Sequence, residues 1–224
     1  GTGAGGGTLL HTLASTGKSI LILERGDYVR REKANWDSRA VNVEGKYQTK
    51  EEWRDTDGKP LHPHTNYYVG GNTKFYGAAL FRLRREDFGE IKHFGGISPA
   101  WPISYDDLEP YYWKVEQMLG ISGKAGNIRG EVVEGGNPFE GPRSHEYPNP
   151  PQKEPYGSQL FRKAAEGLGY HPFPQPSCNM SQPYTNPEGL SLNTCTFCGF
   201  CERYGCEHYA KSSPQTVLLP VLLK

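Results

Sequence analysis

The chain has no excess of charge of either sign and no long hydrophobic run. Its 224 residues carry 25 basic and 25 acidic side chains, so no basic surface indicates nucleic acid or anionic lipid as a partner. No apolar run approaches the roughly 20 residues of a membrane span, and no secretory signal peptide is visible. Because we expect the chain to begin inside a motif, as argued below, the absence of a signal peptide does not identify the compartment.

Apolar residues are scarce for a complete α/β domain, at 35% with a mean hydropathy of −0.70. The abundant residues are 28 glycines, 18 prolines and 14 tyrosines. This composition favours long ordered loops around a ligand over a large continuous core.

The most informative motif is a glycine-rich run at residues 1–7. Gly1, Gly3 and Gly6 fill the three glycine positions of a dinucleotide-binding βαβ unit. There they allow a tight turn, a close approach of the backbone to a pyrophosphate, and tight packing of helix on strand. The pattern predicts a helix to about Thr16 whose N-terminus binds the pyrophosphate, against the alternative of an ordinary glycine-rich loop.

A continuous apolar run over residues 19–24 is typical of a strand buried in a parallel sheet. It ends at Glu24, where a carboxylate would bind ribose hydroxyls and disfavour a 2′-phosphate. The order of the elements therefore predicts FAD or NAD rather than NADP. Because such a unit has an apolar strand before Gly1, we expect the chain to be an interior segment of a longer protein.

A second glycine-rich segment occupies residues 70–79, where small residues would let the backbone approach a ligand. A simple Gly-Gly hairpin does not explain small residues spread over ten positions. The polar residues 27–66 before it predict a lid or connection. His62 and His64 within them fit a surface turn, because no third metal ligand is near in sequence.

Two helices are predicted beyond this point. The first runs from Ser104 to Gly120, with Ser104 and Asp107 as a capping box, and Pro110 is expected to begin a fresh helix within it. A short helix over residues 158–168 should end at Gly169.

Four of the five cysteines form a Cys-x2-Cys-x2-Cys-x4-Cys run. Its members are Cys195, Cys198, Cys201 and Cys206. Cysteines at x2 spacing can aim their sulfurs at one iron–sulfur cluster, but here one extra residue precedes the last cysteine and Glu207 stands where ferredoxins have proline. Zinc, disulfides in an oxidising compartment, and cysteines that pack without a metal remain alternatives.

Several segments together resemble the glucose–methanol–choline (GMC) oxidoreductases, and within them the bacterial gluconate and sugar dehydrogenase branch. The likeness covers the whole chain and corresponds to the N-terminal half of such a protein. The segments are the 1–7 fingerprint, Glu24-Arg25-Gly26, Val69-Gly70-Gly71-Asn72-Thr73 with Gly77-Ala78, the Trp101-Pro102 to Tyr112 segment, and residues 195–220.

The resemblance implies an α/β fold with an FAD-binding, Rossmann-like doubly wound sheet that is incomplete, lacking its first strand and its C-terminal half. It divides the chain into a dinucleotide-binding unit (1–26), a flavin loop (67–85), a connecting or cap region (101–190), and the cysteine cluster with the return to the FAD domain (191–224). The implied FAD-binding residues are Gly1, Gly3, Gly6, Glu24, Arg25, Gly70, Gly71, Asn72, Thr73, Gly77 and Ala78.

The implied activity is oxidation of a CH–OH group of an alcohol, polyol, sugar or sugar acid by hydride transfer to the flavin. The electrons would pass to a cytochrome or quinone, with an iron–sulfur cluster as a further cofactor if the four cysteines hold one. The implied partners are a cytochrome c subunit and a small accessory subunit, in the periplasm or at a membrane. A GMC oxidase that uses O₂, and a non-enzymatic iron–sulfur or zinc module, are the alternatives.

Two positions depart from patterns found in the family. Phe75 stands where some members attach FAD covalently through histidine, so the resemblance implies non-covalent FAD. Tyr76 stands where an asparagine is common. The family's catalytic histidine and its partner belong to the C-terminal half, so no catalytic residue is assigned in this chain.

Overall fold

The computed structural model describes residues 1–223, and its regular elements there are short except for three helices. The α-helices are α1 (Ala4–Ala14), α2 (Tyr105–Leu119), α3 (Tyr156–Gly167), α4 (Pro214–Val217) and α5 (Leu219–Leu222). The 3-10 helices lie at Lys33–Trp36, Gly71–Lys74 and Arg85–Phe88, and a π-helical turn at Arg39–Val43. Over the described residues, no helix is both long enough and apolar enough to cross a bilayer.

The strands pair as four antiparallel two-stranded sheets. These are β1 (Trp53–Arg54) with β2 (Pro60–Leu61), β3 (Ile91–His93) with β4 (Gly96–Ser98), β5 (Asn127–Ile128) with β6 (Glu131–Val132), and β7 (Tyr184–Thr185) with β8 (Ser191–Leu192). The fold is thus a mixture of helices and small sheets.

The doubly wound parallel sheet predicted from the sequence is not formed within residues 1–223. The apolar run at 19–24 is extended but belongs to no strand. Leu21 and Leu23 in it are 83% and 73% exposed. A strand of a parallel sheet needs hydrogen-bonded neighbours and a covering layer on both faces, and no described strand lies beside this run.

The chain divides into two compact units. Unit 1 contains Gly1–Ala78 and the residues from Thr196 onward, and unit 2 contains Ala79–Cys195. In unit 1, α1 packs on α4 and α5, and Leu10 joins Val69 and Leu219 in one apolar cluster. A second cluster in unit 1 consists of Val41, Tyr47, Phe75 and Tyr204.

The predicted helices are confirmed, with one correction. Helix α2 has the expected capping box between Ser104 and Asp107 and ends at Gly120, whose φ of 69° is left-handed. Pro110 does not begin a new helix but lies inside α2. Its missing N–H removes one hydrogen bond, while the two caps and the burial of Tyr105 and Met118 keep the 15 residues in one helix.

A buried charge cluster joins α2 to the rest of unit 2. Glu116 accepts hydrogen bonds from Nε and Nη2 of Arg82 at 2.8 and 2.9 Å, and from Nη2 of Arg143 at 2.5 Å. The side chains of Arg82, Glu116 and Arg143 are 2%, 6% and 0% exposed. The guanidinium of Arg143 also lies 3.5 Å from the ring centroid of Tyr147. Glu116 is thus the carboxylate that both buried cations share, while Glu109 lies 3.2 Å from Arg82 and Glu140 lies 3.6 Å from Arg143.

Replacing Glu116 with glutamine should lower the free energy of unfolding by about 3 kcal/mol, because each buried guanidinium loses its nearest carboxylate and keeps only its longer contact with Glu109 or Glu140. The matched control is Glu154→Gln, which breaks the partly exposed pair with Arg162 and should cost at most about 1 kcal/mol. Urea unfolding of both variants measures the two losses. Equal losses would show that the buried carboxylate contributes no more than a surface one.

Candidate cofactor site

The start of α1 is a glycine turn that has no room for side chains at Gly6 and Gly7. Gly3 is the N-cap residue of the helix and has no side chain to bond the amides of the first turn, which leaves these donors available for an anion. A Cβ at Gly6 would lie 1.9 Å from the carbonyl oxygen of Gly1, and one at Gly7 would lie 2.6 Å from Cβ of Pro214. The turn therefore has the shape of a cradle for a pyrophosphate.

The second glycine segment lies against this turn. A Cβ added to Gly3 would be 3.7 Å from the carbonyl oxygen of Gly70, and one added to Gly71 would be 3.9 Å from Cα of Gly3. Gly70 and Gly71 have left-handed φ angles of 90° and 54°, which favour glycine. The structure thus brings together the two glycine segments that the sequence analysis singled out separately.

Thr2 and Glu24 connect the two segments. The Gly70 amide donates to Oγ1 of Thr2 at 2.8 Å. Glu24 in turn accepts from the Thr2 amide at 2.7 Å and from the Thr2 hydroxyl at 2.5 Å. Its other oxygen accepts from the amide of Arg25 at 2.7 Å. Burial opposes ionisation of Glu24, but these hydrogen bonds outweigh it and lower the pKa of the carboxyl group.

A close backbone contact at Gly26 holds the end of the apolar run against the residues that precede the second glycine segment. A Cβ at Gly26 would lie 1.8 Å from the carbonyl oxygen of Tyr67. Next to it, Asp27 and Tyr68 form a parallel bridge, and the Val69 amide donates to the Asp27 carbonyl at 3.1 Å. From the sequence, Gly26 is predicted only as part of the Glu24-Arg25-Gly26 motif, and Thr2 has no predicted role. The glycine directly after Glu24-Arg25, at the end of the apolar run, is the sequence feature that could have predicted this close contact.

The side chains of Arg25 and Asn72, both predicted to bind the cofactor, are engaged elsewhere. Arg25 pairs with Glu51, and its guanidinium lies 4.0 Å from the ring centroid of Tyr67. Asn72 accepts from the amide of Asn66 at 2.9 Å and donates to the carbonyl of residue 64 at 2.8 Å. These two side chains hold the neighbouring loops in place, and any contact of theirs with a cofactor stays a prediction.

The remaining predicted residues of the 70–78 loop have distinct environments. Thr73 donates its hydroxyl to the Gly70 carbonyl at 2.5 Å, which tightens the turn. Gly77 is exposed. Ala78 is fully buried with a left-handed φ of 67°, a conformation that non-glycine residues seldom adopt. The loop therefore has a fixed shape, while its contacts with a flavin stay predictions.

The cysteine run is not arranged as a metal site. Over residues 1–223, no group of three or more His, Cys, Asp or Glu side chains could hold a metal ion, and no disulfide joins the cysteines. The described thiols thus do not fit the predicted iron–sulfur cluster, and no step proposed below passes through one.

Glu24→Gln should destabilise the protein at neutral pH by about 1 kcal/mol, because glutamine loses part of the charge-assisted hydrogen bonding. The pKa of Glu24 is lowered from its ordinary value of 4.5. Its contribution is therefore present above pH 4.5 and is lost as the pH falls through the lowered value. Urea unfolding at several pH values should show the two proteins converging in acid.

Glu44→Gln is the control for the measurements at several pH values. The side chain of Glu44 is 58% exposed and forms a surface ion pair with Arg39. The variant should stay within about 0.5 kcal/mol of the wild type throughout. A difference between Glu24→Gln and the wild type that persists unchanged in acid would contradict the role given to the ionised carboxylate.

Comparison with known proteins identifies the family. No family model matches the chain. It is 45% identical over 123 residues to the gluconate 2-dehydrogenase flavoprotein of Pantoea cypripedii, covering 54% of this chain and 20% of that protein. It is 32% identical over 231 residues to the 6'''-hydroxyparomomycin C oxidase of Streptomyces lividus, covering 99% of this chain and 38% of that protein.

A third relative is the fructose dehydrogenase large subunit of Gluconobacter japonicus, 27% identical over 223 residues, with 87% of this chain and 38% of that protein covered. The chain thus spans at most 38% of the length of these three relatives. Together with the two adjoining glycine loops and the carboxylate of Glu24, these similarities show that the chain belongs to the glucose–methanol–choline oxidoreductases.

Proposed function

We propose that the protein is an FAD-dependent oxidoreductase that acts on CH–OH groups of alcohols, polyols, sugars or sugar acids. The observation that carries this proposal is the meeting of the two glycine loops at the N-terminus of α1, where Thr2 connects Gly70 to Glu24. The similarity to a protein named as a gluconate dehydrogenase flavoprotein supports a flavin as the dinucleotide.

Each part of this site has a proposed role. The amides at the start of α1 would bind the pyrophosphate, because the helix dipole favours negative charge there. Glu24 would accept hydrogen bonds from the ribose hydroxyls. Because its roughly four acceptor positions are taken by Thr2, Arg25 and Gly26, a ribose hydroxyl would replace the weakest of these donors, the Gly26 amide at 3.4 Å. Gly70 and Gly71 would allow close backbone approach. Bound FAD supplies the acceptor for the hydride of the substrate.

Phe75 supports non-covalent binding. It is buried in the cluster with Tyr47, with the two ring centroids 4.5 Å apart. Its side chain has no atom that could form a bond to the flavin, and it fills the core of unit 1.

We propose a dehydrogenase that passes electrons to a cytochrome or quinone, with a cytochrome c subunit and a small accessory subunit as partners. The dehydrogenase names of two relatives support it, one of them a large subunit. An oxidase that uses O₂ is the second candidate. It is favoured by the two aminoglycoside oxidases, 6'''-hydroxyparomomycin C oxidase and paromamine 6'-oxidase, whose similarity extends over 99% of this chain.

The natural full-length protein should contain FAD that acid precipitation releases into the supernatant, because Phe75 offers no covalent link. Gluconate, fructose and simple polyols are then tested anaerobically for bleaching of the flavin. Turnover with an artificial electron acceptor but not with O₂ indicates the dehydrogenase, and the reverse indicates the oxidase. A protein without flavin would overturn the proposed function, and flavin held in the precipitate would overturn non-covalent binding alone.

Gly6→Ala should abolish FAD binding, because its Cβ would lie 1.9 Å from the Gly1 carbonyl oxygen and would distort the turn. Gly5→Ala is the matched control, since a Cβ there meets nothing within 4 Å and alanine favours the helix by up to about 1 kcal/mol. Flavin content after gel filtration and titration of the apoprotein with FAD measure the difference. Equal FAD affinity in the two variants would exclude this turn from the cofactor site.

A further inference from the structure

Lys211 is a buried lysine whose three donors all have main-chain partners. The residue is 3% exposed. Its Nζ donates to the carbonyl oxygens of Tyr76 at 2.8 Å, Cys201 at 2.7 Å and Tyr204 at 2.9 Å. An ammonium group has three donors and no acceptor, so these three carbonyls use its full capacity. No carboxylate is among them, which sets this lysine apart from one held by an ion pair.

The three carbonyls belong to two segments that are far apart in the sequence. Tyr76 lies in the 70–78 loop, whereas Cys201 and Tyr204 lie in the cysteine run. Two further bonds join the same segments. The Tyr76 hydroxyl donates to the Ser212 carbonyl at 2.8 Å, and the Arg203 amide donates to the Phe75 carbonyl at 2.6 Å. All these residues are in unit 1. Lys211 is thus at the centre of the contact between the loop and the cysteine run.

We propose that Lys211 is a positioning residue, whose three donated hydrogen bonds fix the Phe75–Tyr76 end of the 70–78 loop and thereby set where that loop holds the flavin ring. This inference rests on the proposed function. Loss of the ammonium would leave three carbonyls in the interior without their donor, and the loop would have to move to reach other donors. Arginine is a poor substitute, because its planar fork cannot reproduce three bonds that diverge from one atom.

The test is chemical rescue in the natural full-length flavoprotein. Lys211→Ala removes the side chain beyond Cβ, and n-propylammonium has the three carbons and the ammonium group that are lost. The variant should keep its FAD but show an altered visible circular dichroism spectrum of the bound flavin. Its kcat should fall roughly tenfold or more with KM little changed, because small displacements of reacting groups carry large rate penalties.

Added n-propylammonium should restore both the spectrum and kcat, whereas tetramethylammonium, which has the charge without N–H donors, should restore neither. The control is Lys59→Ala, whose lysine is 73% exposed beside Asp57 and should leave both readouts unchanged. An unaltered Lys211→Ala spectrum, rescue by both cations, or rescue by neither would overturn the inference. A purely structural role would change the unfolding midpoint without changing the spectrum of the protein that remains folded.

If Lys211→Ala yields no folded protein, Lys211→Met takes its place, because methionine keeps most of the side-chain length and removes the three donors. It should change the flavin spectrum, and no change would again overturn the inference. A wild-type protein without flavin contradicts the proposed function itself. A wild-type flavoprotein with unaltered variants contradicts only the role of Lys211.

Discussion

The candidate site depends on close contact between backbone segments, which is possible only where side chains are absent. At Gly6 and Gly26 an added Cβ would lie within 2 Å of a carbonyl oxygen, well inside van der Waals contact. These two contacts bring the first turn of α1, the end of the apolar run and the second glycine loop into one corner. The hydrogen bonds of Thr2 and Glu24 then fix the corner, and the proposed cofactor binding follows from its shape.

The parts of the fold that the sequence predicted well are those that local interactions determine. Helix α2 begins at a capping box and ends at a left-handed glycine, and both signals lie within a few residues of the helix ends. The parallel sheet failed as a prediction over the described residues because a strand at 19–24 needs partners that local sequence cannot supply. The prediction for Pro110 is wrong for a related reason, because burial of Tyr105 and Met118 in the same helix outweighs one lost hydrogen bond.

The candidate site likewise contains residues that the sequence predicts and residues that it does not. Gly3, Glu24 and Gly70 could be selected from motif spacing alone, because the spacing encodes backbone geometry. Thr2 and Lys211 could not, since their partners lie 68 and 135 residues away along the chain. The cysteine spacing favours convergence on one metal, but spacing does not fix the direction of each thiol, and over residues 1–223 no group of three such side chains could hold an ion.

The division into units also sets an order in which parts of the chain are made, with unit 2 before the last segment of unit 1. Unit 2 is continuous in sequence, whereas unit 1 is interrupted by it and is completed only by the residues from Thr196 onward. A ribosome therefore has to make all of unit 2 before Lys211 exists to bond the Tyr76 carbonyl. During that interval the nascent 70–78 loop lacks those interior partners, so the cofactor site can reach its final form only after all of unit 2 has been made.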